Sequence, residues 1–156
     1  MTVRVFARAS SALAALGIFV LLAVDLRRAV NVPYWDEWEW ADLVYAAHRH
    51  TLTFGQLWAP HNEHRILAAN VLMLGLDALG GWNVVREQIV SLVIVALTQL
   101  TLWLLIAWTL PASRRNVCFV VASVVLLGLS QHENFEWGFQ MSWFLCDLGL
   151  VVAVWQ

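Results

Sequence analysis

Residues 33–65 contain most of the side chains in this sequence that could do acid–base or metal chemistry. Four of the five histidines and five of the eleven acidic residues lie here, between long runs of Ala, Val, Leu and Ile: His48, His50, His61, His64, Asp36, Glu37, Glu39, Asp42 and Glu63. Ionisable groups are costly near hydrocarbon and persist mainly where a function needs them. This concentration therefore predicts a functional site.

The first candidate catalytic group is the acidic pair Asp36 and Glu37, which lies shortly after the first apolar segment. Successive side chains on a helix diverge by about 100°, so only one of the two can point inward. A carboxylate in a partly apolar setting, beside other acids, has a raised pKa and can act as a general base. The spacing of these acids is explained at least as well by a solvated acidic helix face. Both interpretations, a general base and a solvated face, therefore stay open.

The second candidate is the run His61-Asn62-Glu63-His64-Arg65. Two histidines three residues apart share one face of a helix, and with Glu63 or an Asp from the helix expected over 36–47 they would form half of a divalent-metal site. Arg65 could hold a phosphate through two parallel hydrogen bonds. The alternatives are interfacial histidines that bind water and lipid headgroups, and an arginine that extends to the membrane edge.

Residues 131–140 repeat the combination of acid and histidine on a smaller scale, with His132, Glu133 and Glu136. These residues are a smaller candidate for the same acid–base chemistry. An ordinary wet loop is the alternative.

Composition indicates the class of protein that carries these groups. The chain is 61% hydrophobic and only 13% charged, whereas a soluble domain has about 25% charged residues. We therefore expect an all-α, polytopic transmembrane bundle of four or five hydrophobic segments. The basic residues form no clustered face, which argues against a nucleic-acid partner.

The expected segments form one membrane domain over residues 1–156, the front part of a larger one. They are a first span at 9–24, an outer interfacial loop at 29–65, a short apolar segment at 66–79, and spans at 89–110, 117–130 and 141–156. Within the outer loop we expect a helix over 36–47, a turn at 51–55 and a second short helix that starts near His61.

Arginine positions predict the orientation of these segments. Arg4 and Arg8 favour a cytoplasmic N-terminus, and Arg114 and Arg115, in an expected tight loop at 111–116, favour the same side. The number of crossings between these two pairs must then be even, so 66–79 is tilted or re-entrant. The two polar loops, 29–65 and 131–140, would therefore face the same outer side and could form one site.

These features together resemble the N-terminal part of integral-membrane glycosyltransferases of the GT-C fold, nearest to protein O-mannosyltransferases and lipid A aminoarabinose transferases. The resemblance rests on Tyr34-Trp35-Asp36-Glu37 after a first span, Pro60-His61 to Arg65-Ile66-Leu67 before an apolar segment, Gly80-Gly81-Trp82-Asn83, and an arginine that opens the next long span. The double proline usual in the second of these motifs is missing here.

The resemblance implies a bacterial inner-membrane enzyme that transfers a sugar from a polyprenyl-phosphate donor to an acceptor on the extracytoplasmic side. Asp36 would be the catalytic or metal-associated carboxylate, with Glu37 beside it, and a divalent cation is a possible cofactor. The donor phosphate would contact Arg65, His61 and His64, and Glu133 or Glu136 would correspond to a further, secondary acid of the family. The alternative is a non-catalytic transporter or assembly component whose outer loop binds a cation or a partner.

Overall fold

The computed structural model describes residues 2–128 and 132–155, with side chains for 14–24, 26–128 and 132–155. The described chain is helical throughout and contains no strand, which confirms the all-α class. Its α-helices are α1 (Thr2–Arg28), α2 (Trp40–His48), α3 (Phe54–Trp58), α4 (Leu67–Ala78), α5 (Val84–Thr109), α6 (Ala112–Leu126), α7 (His132–Glu136) and α8 (Met141–Trp155). Two short 3₁₀ helices, Trp35–Glu39 and Gly138–Gln140, precede α2 and α8.

Two helical segments of the described chain are long and apolar enough to cross a membrane: α5, and residues 138–155, which combine the second 3₁₀ helix with α8. The 26 residues of α5 extend about 39 Å at 1.5 Å per residue, more than the roughly 30 Å of a bilayer's hydrocarbon core. These segments coincide with the predicted spans at 89–110 and 141–156, and they indicate a membrane protein. The total of four or five spans stays a prediction.

The other predicted spans compare with the helices as follows. The backbone of 9–24 lies within α1, although side chains 9–13 fall outside the described residues. Segment 66–79 contains α4, whose 12 residues extend about 18 Å, too short for a crossing. Span 117–130 overlaps α6, and its last two residues lie outside the described chain.

The prediction of a tight loop at 111–116 is wrong, because α6 begins at Ala112. Pro111 lies immediately before the first turn of α6. Proline has no backbone N–H, and at the start of a helix this loses no helical hydrogen bond, while its fixed φ suits the helix start. Arg114 and Arg115 therefore belong to the start of α6, and Arg115 Nε donates to the Leu110 carbonyl that ends α5.

A buried apolar core joins α1, α2, α4, α5 and α8 to residues 135–139. Its members are Leu21, Trp40, Ala69, Met73, Leu92, Ile94, Val95, Phe135, Phe139, Met141 and Phe144. Large aliphatic side chains also point outward from α5, including Val93, Leu97 and Leu100, each about half exposed. Such an outward apolar face is suited to lipid and is unusual in water.

Hydrogen bonds fix the short helices around this core. Trp40 Nε1 donates to Asn70 Oδ1 on α4 at 2.9 Å, and Asn70 Nδ2 donates to the Leu57 carbonyl of α3 at 3.1 Å. Arg86 Nη1 donates to the Leu76 carbonyl at 2.6 Å, near the end of α4. These contacts hold α2 and α3 against α4, and α4 against the start of α5.

The helix expected over 36–47 is present, as a 3₁₀ turn that continues into α2. The turn expected at 51–55 occurs only in part, since α3 begins at Phe54 after a capping box formed by Thr53 and Gln56.

The prediction of a short helix that starts near His61 is wrong, because residues 61–64 form a tight turn. The His61 N–H donates to the His64 carbonyl at 2.7 Å and the His64 N–H donates to the His61 carbonyl at 2.9 Å. Asn62 has a φ of 50°, a conformation that asparagine tolerates better than most residues. Helix α4 then starts only at Leu67.

Candidate functional site

The tight turn places His61 between two acids of the first 3₁₀ helix. His61 Nδ1 lies 2.7 Å from Glu39 Oε2, and His61 Nε2 lies 3.3 Å from Asp36 Oδ2. Asp36 and Glu39 are three residues apart, a spacing that puts both carboxylates on one side of a helical turn. The imidazole is 11% exposed, so its position is set by packing as well as by the two acids.

The contacts of His61 define the roles of its two nitrogens. An ionised Glu39 carboxylate only accepts hydrogen bonds, so Nδ1 carries a proton and donates to it. In the neutral ring Nε2 is then an acceptor, with the Asn62 amide nitrogen 3.2 Å away; in the charged ring it donates to Asp36. A carboxylate that orients one imidazole nitrogen while the other is free to react is an arrangement found in general bases and in metal ligands.

Asp36 and His61 line a cleft of about 440 Å³ together with Glu63, His64 and residues of the second polar loop. That loop and the start of α8 contribute three aromatic rings and two polar side chains: Trp137, Phe139, Trp143, Gln140 and Ser142. The cleft thus combines acids and imidazoles with flat aromatic surfaces. This combination can bind a polyol over its rings while acids and imidazoles contact its hydroxyl groups.

Direct contacts connect the two polar loops, as the prediction of one shared site requires. Trp137 Nε1 donates to the Tyr34 carbonyl at 3.0 Å, and the Trp137 and Trp35 rings pack edge to face with centroids 6.0 Å apart. The Phe139 ring lies 4.8 Å from the imidazole of His61. Residues separated by about a hundred positions in the sequence therefore form one site.

Glu37 points away from the cleft and is fully buried. Its Oε2 accepts the Tyr34 N–H at 2.9 Å, and its carboxyl group lies near that of Glu87, at the start of α5. A Cβ added to Gly138 would lie 2.4 Å from Glu37 Oε1 and 2.9 Å from Glu87 Oε2, so both oxygens pack closely beneath this glycine. Burial raises the pKa of Glu37, and the hydrogen bond from Tyr34 offsets part of that rise.

The structure separates the predicted catalytic pair as the helical geometry required. Asp36 is half exposed and faces the cleft, whereas Glu37 is inside the fold. The catalytic prediction for Asp36 is compatible with its position. Glu37 does not line the cleft, so Asp36 is the member of the pair that a ligand in the cleft could contact.

The predicted metal set of His61, His64 and Glu63 is not the set that the fold brings together. Among the described His, Cys, Asp and Glu residues, the group of three that could hold a metal ion is Asp36, Glu39 and His61, whose ligand atoms lie within 4.8 Å of one another. Because 61–64 is a turn and not a helix, its two imidazoles do not share a helix face. His64 and Glu63 line the same cleft without joining this group.

Arg65 and the secondary acids also differ from expectation. Arg65 Nη1 donates to the Trp58 carbonyl at 2.5 Å, and its guanidinium lies 5.0 Å from the centre of the Trp58 ring. Arg65 is therefore outside the cleft where a phosphate contact was expected. Glu136 forms an ion pair with Arg28 at 2.9 Å, and Glu133 is exposed on α7, so neither acid lines the cleft.

Three residues of the site were not singled out from the sequence: Glu39, Glu87 and Gly138. The spacing of Asp36 and Glu39 could have identified Glu39. Glu87 lies next to Arg86 in the sequence, but Arg86 donates to the Leu76 carbonyl at the end of α4, and the Trp82 indole N–H donates to Glu87 Oε1 at 2.9 Å. No local pattern reveals Gly138, because its role depends on two acids that are distant in the sequence.

No family model matches the chain, and no curated protein and no solved structure is significantly similar to it.

Proposed function

We propose that the chain forms the site of an integral-membrane glycosyltransferase that takes its sugar from a polyprenyl-phosphate donor. The observation that carries the proposal is the cleft in which Asp36, His61 and His64 meet the aromatic rings of residues 137–143. Together with two membrane-length helices, it offers an acid, imidazoles and a sugar-sized surface beside apolar helices. The resemblance of the sequence motifs to the GT-C glycosyltransferases supports the same reaction.

In this proposal Asp36 accepts the proton of the acceptor hydroxyl as that oxygen attacks the anomeric carbon. The bond between the anomeric carbon and the phosphate oxygen breaks, and polyprenyl phosphate leaves with the electron pair. Glu39 Oε2 holds His61 Nδ1 at 2.7 Å, and His61 Nε2 lies 3.3 Å from Asp36 Oδ2, so the two acids and the imidazole form one group. His64 is the cleft residue that would contact the donor phosphate, since Arg65 is directed to Trp58.

A divalent metal fits this site by its donor set. One imidazole nitrogen and two carboxylate oxygens from His61, Asp36 and Glu39 are ligands that Zn²⁺ and Mn²⁺ accept. A bound ion would supply positive charge next to the leaving phosphate. We place the site on the extracytoplasmic face of a bacterial inner membrane, with a cytoplasmic N-terminus and four or five spans.

The test is sugar transfer by the purified chain in proteoliposomes that contain radiolabelled polyprenyl-phosphate sugars. Asp36→Asn keeps the size of the side chain but removes the base, so transfer should fall at least about a hundredfold. Asp42→Asn is the matched control, because Asp42 is exposed on α2 and does not line the cleft. Undiminished transfer by the Asp36→Asn variant would remove Asp36 from the reaction.

The group of Asp36, Glu39 and His61, taken alone, favours a second function. The chain would then be a non-catalytic membrane component whose outer loop binds a cation. Under that alternative, binding of Zn²⁺ or Mn²⁺ would depend on His61 and Asp36, while none of the radiolabelled polyprenyl-phosphate sugars would be turned over. Transfer that depends on Asp36 excludes this alternative.

A further inference from the structure

A second set of polar groups is buried behind the cleft, at the start of α5. Glu37, Glu87, Gln88 and Ser91 are each at least 96% buried. Each has one side-chain oxygen without a hydrogen bond of good geometry to the protein: Glu37 Oε1, Glu87 Oε2, Gln88 Oε1 and Ser91 Oγ. The two carboxyl groups lie within hydrogen-bonding reach of each other. Buried polar atoms without partners cost about 1–3 kcal/mol each, so four of them in one region require an explanation.

The backbone brings these groups to the same region of the fold. Ser91 follows Glu87 by four residues and Gln88 by three, so all three lie on one side of α5. Glu37 reaches the same region from the first 3₁₀ helix, since its free oxygen and that of Glu87 approach the same point above Gly138. A cavity of about 270 Å³, lined by Glu37 and Gln88, adjoins them.

Their remaining atoms are already bonded, which leaves oxygens available for a ligand. Tyr34 N–H binds Glu37 Oε2, Trp82 Nε1–H binds Glu87 Oε1, and Gln88 Nε2 donates to the Glu136 carbonyl. A proton shared by the two carboxyl groups would satisfy at most two of the four free oxygens. A cation bound beside the two carboxyl groups would engage both of their free oxygens and could also take the Gln88 and Ser91 oxygens as ligands.

We propose that Glu37, Glu87, Gln88 and Ser91 form a buried binding site for a dehydrated hard cation of the Ca²⁺ or Na⁺ type. Two carboxylates, an amide carbonyl and a hydroxyl are the oxygen ligands that such ions prefer. Mg²⁺ retains several waters and fits a dry site less well, and Zn²⁺ prefers the nitrogen ligand that His61 supplies in the cleft. The cavity that Glu37 and Gln88 line is also lined by Arg28 and Glu136, which form an ion pair.

This cation would have a structural role separate from the chemistry of the cleft. It would join the first 3₁₀ helix, which carries Asp36, to α5 and to the loop that contains Gly138. Its ligands differ from those of the Asp36, Glu39 and His61 group. The two sites can therefore be tested independently.

The experiment measures thermal unfolding of the purified chain by circular dichroism in detergent and choline chloride, with CaCl₂ or NaCl added in turn. The unfolding temperature should rise with one of these salts and much less with MgCl₂. Glu87→Gln, which preserves the volume, should weaken the apparent affinity at least about tenfold. Ser91→Ala should weaken it to a smaller extent.

Two controls separate this site from others. His61→Ala should abolish Zn²⁺ binding in the cleft but leave the Ca²⁺ or Na⁺ response unchanged. Ser123→Ala removes a buried hydroxyl that already has partners on α5 and α6, and it should also leave the response unchanged. No rise with either cation, or an equal rise in the Glu87→Gln variant, would overturn the proposal and would indicate a protonated carboxyl pair.

Discussion

Gly138→Ala tests the close packing of the second polar loop on the two buried acids. The new Cβ would lie 2.4 Å from Glu37 Oε1, 2.9 Å from Glu87 Oε2 and 3.0 Å from Glu87 Cβ. The first of these contacts is about 1 Å shorter than an ordinary carbon–oxygen contact near 3.4 Å. Glu37 or residue 138 must therefore move.

The cost of this movement follows from the contacts that hold Glu37. The Glu37 carboxyl group is fully buried and bound to the Tyr34 N–H, so displacing it weakens a hydrogen bond worth about 1 kcal/mol. Repacking of the surrounding core adds a similar amount, and overpacking typically costs 1–3 kcal/mol. We expect the free energy of unfolding to fall by about 2 kcal/mol.

The assay is reversible unfolding of the purified chain in mixed detergent micelles, followed by circular dichroism. Gly75→Ala is the matched control, because a Cβ at Gly75 would meet nothing within 4 Å. Alanine should stabilise this position in α4 by up to about 1 kcal/mol. If Gly138→Ala proved as stable as Gly75→Ala, the inferred contact between the loop and the two acids would be refuted.

Two further predictions concern the same region. Because burial raises the pKa of Glu37, the folded chain retains a proton that the unfolded chain releases above the ordinary value of 4.5. The contribution of Glu37 to stability should thus be greatest below that pH and should be lost as the pH rises from there through the folded-state pKa. In choline chloride without added metal, Glu37→Gln should reduce the change of the unfolding free energy with pH, whereas Glu133→Gln, at an exposed position, should not. An equal pH dependence in wild type and Glu37→Gln would contradict the raised pKa of Glu37. Trp40→Phe should lower stability by about 1–3 kcal/mol, because it leaves the buried Asn70 Oδ1 without its indole donor. Trp108→Phe, at an exposed indole, should change stability little in the same unfolding assay, and equal losses in the two variants would contradict this role of Trp40.

The sequence alone determined the class of fold and the region of the site. Apolar runs separated by charged segments predict helices, because a chain beside lipid must satisfy its backbone hydrogen bonds within each helix. The concentration of acids and histidines in 33–65 located the cleft, and the helical divergence of Asp36 and Glu37 predicted that only one would face inward. The pairing of the two polar loops also followed from the distribution of arginines.

Tertiary structure decided which of these groups meet. His61 joins Asp36 and Glu39, and not His64 and Glu63, because a residue with positive φ turns the chain where a helix was expected. Arg65 binds Trp58, and Glu87 approaches Glu37 across about fifty residues, through packing that leaves no local pattern in the sequence. Periodicity reports which face of a helix is apolar, whereas the partner of a buried polar group depends on how separate helices pack together.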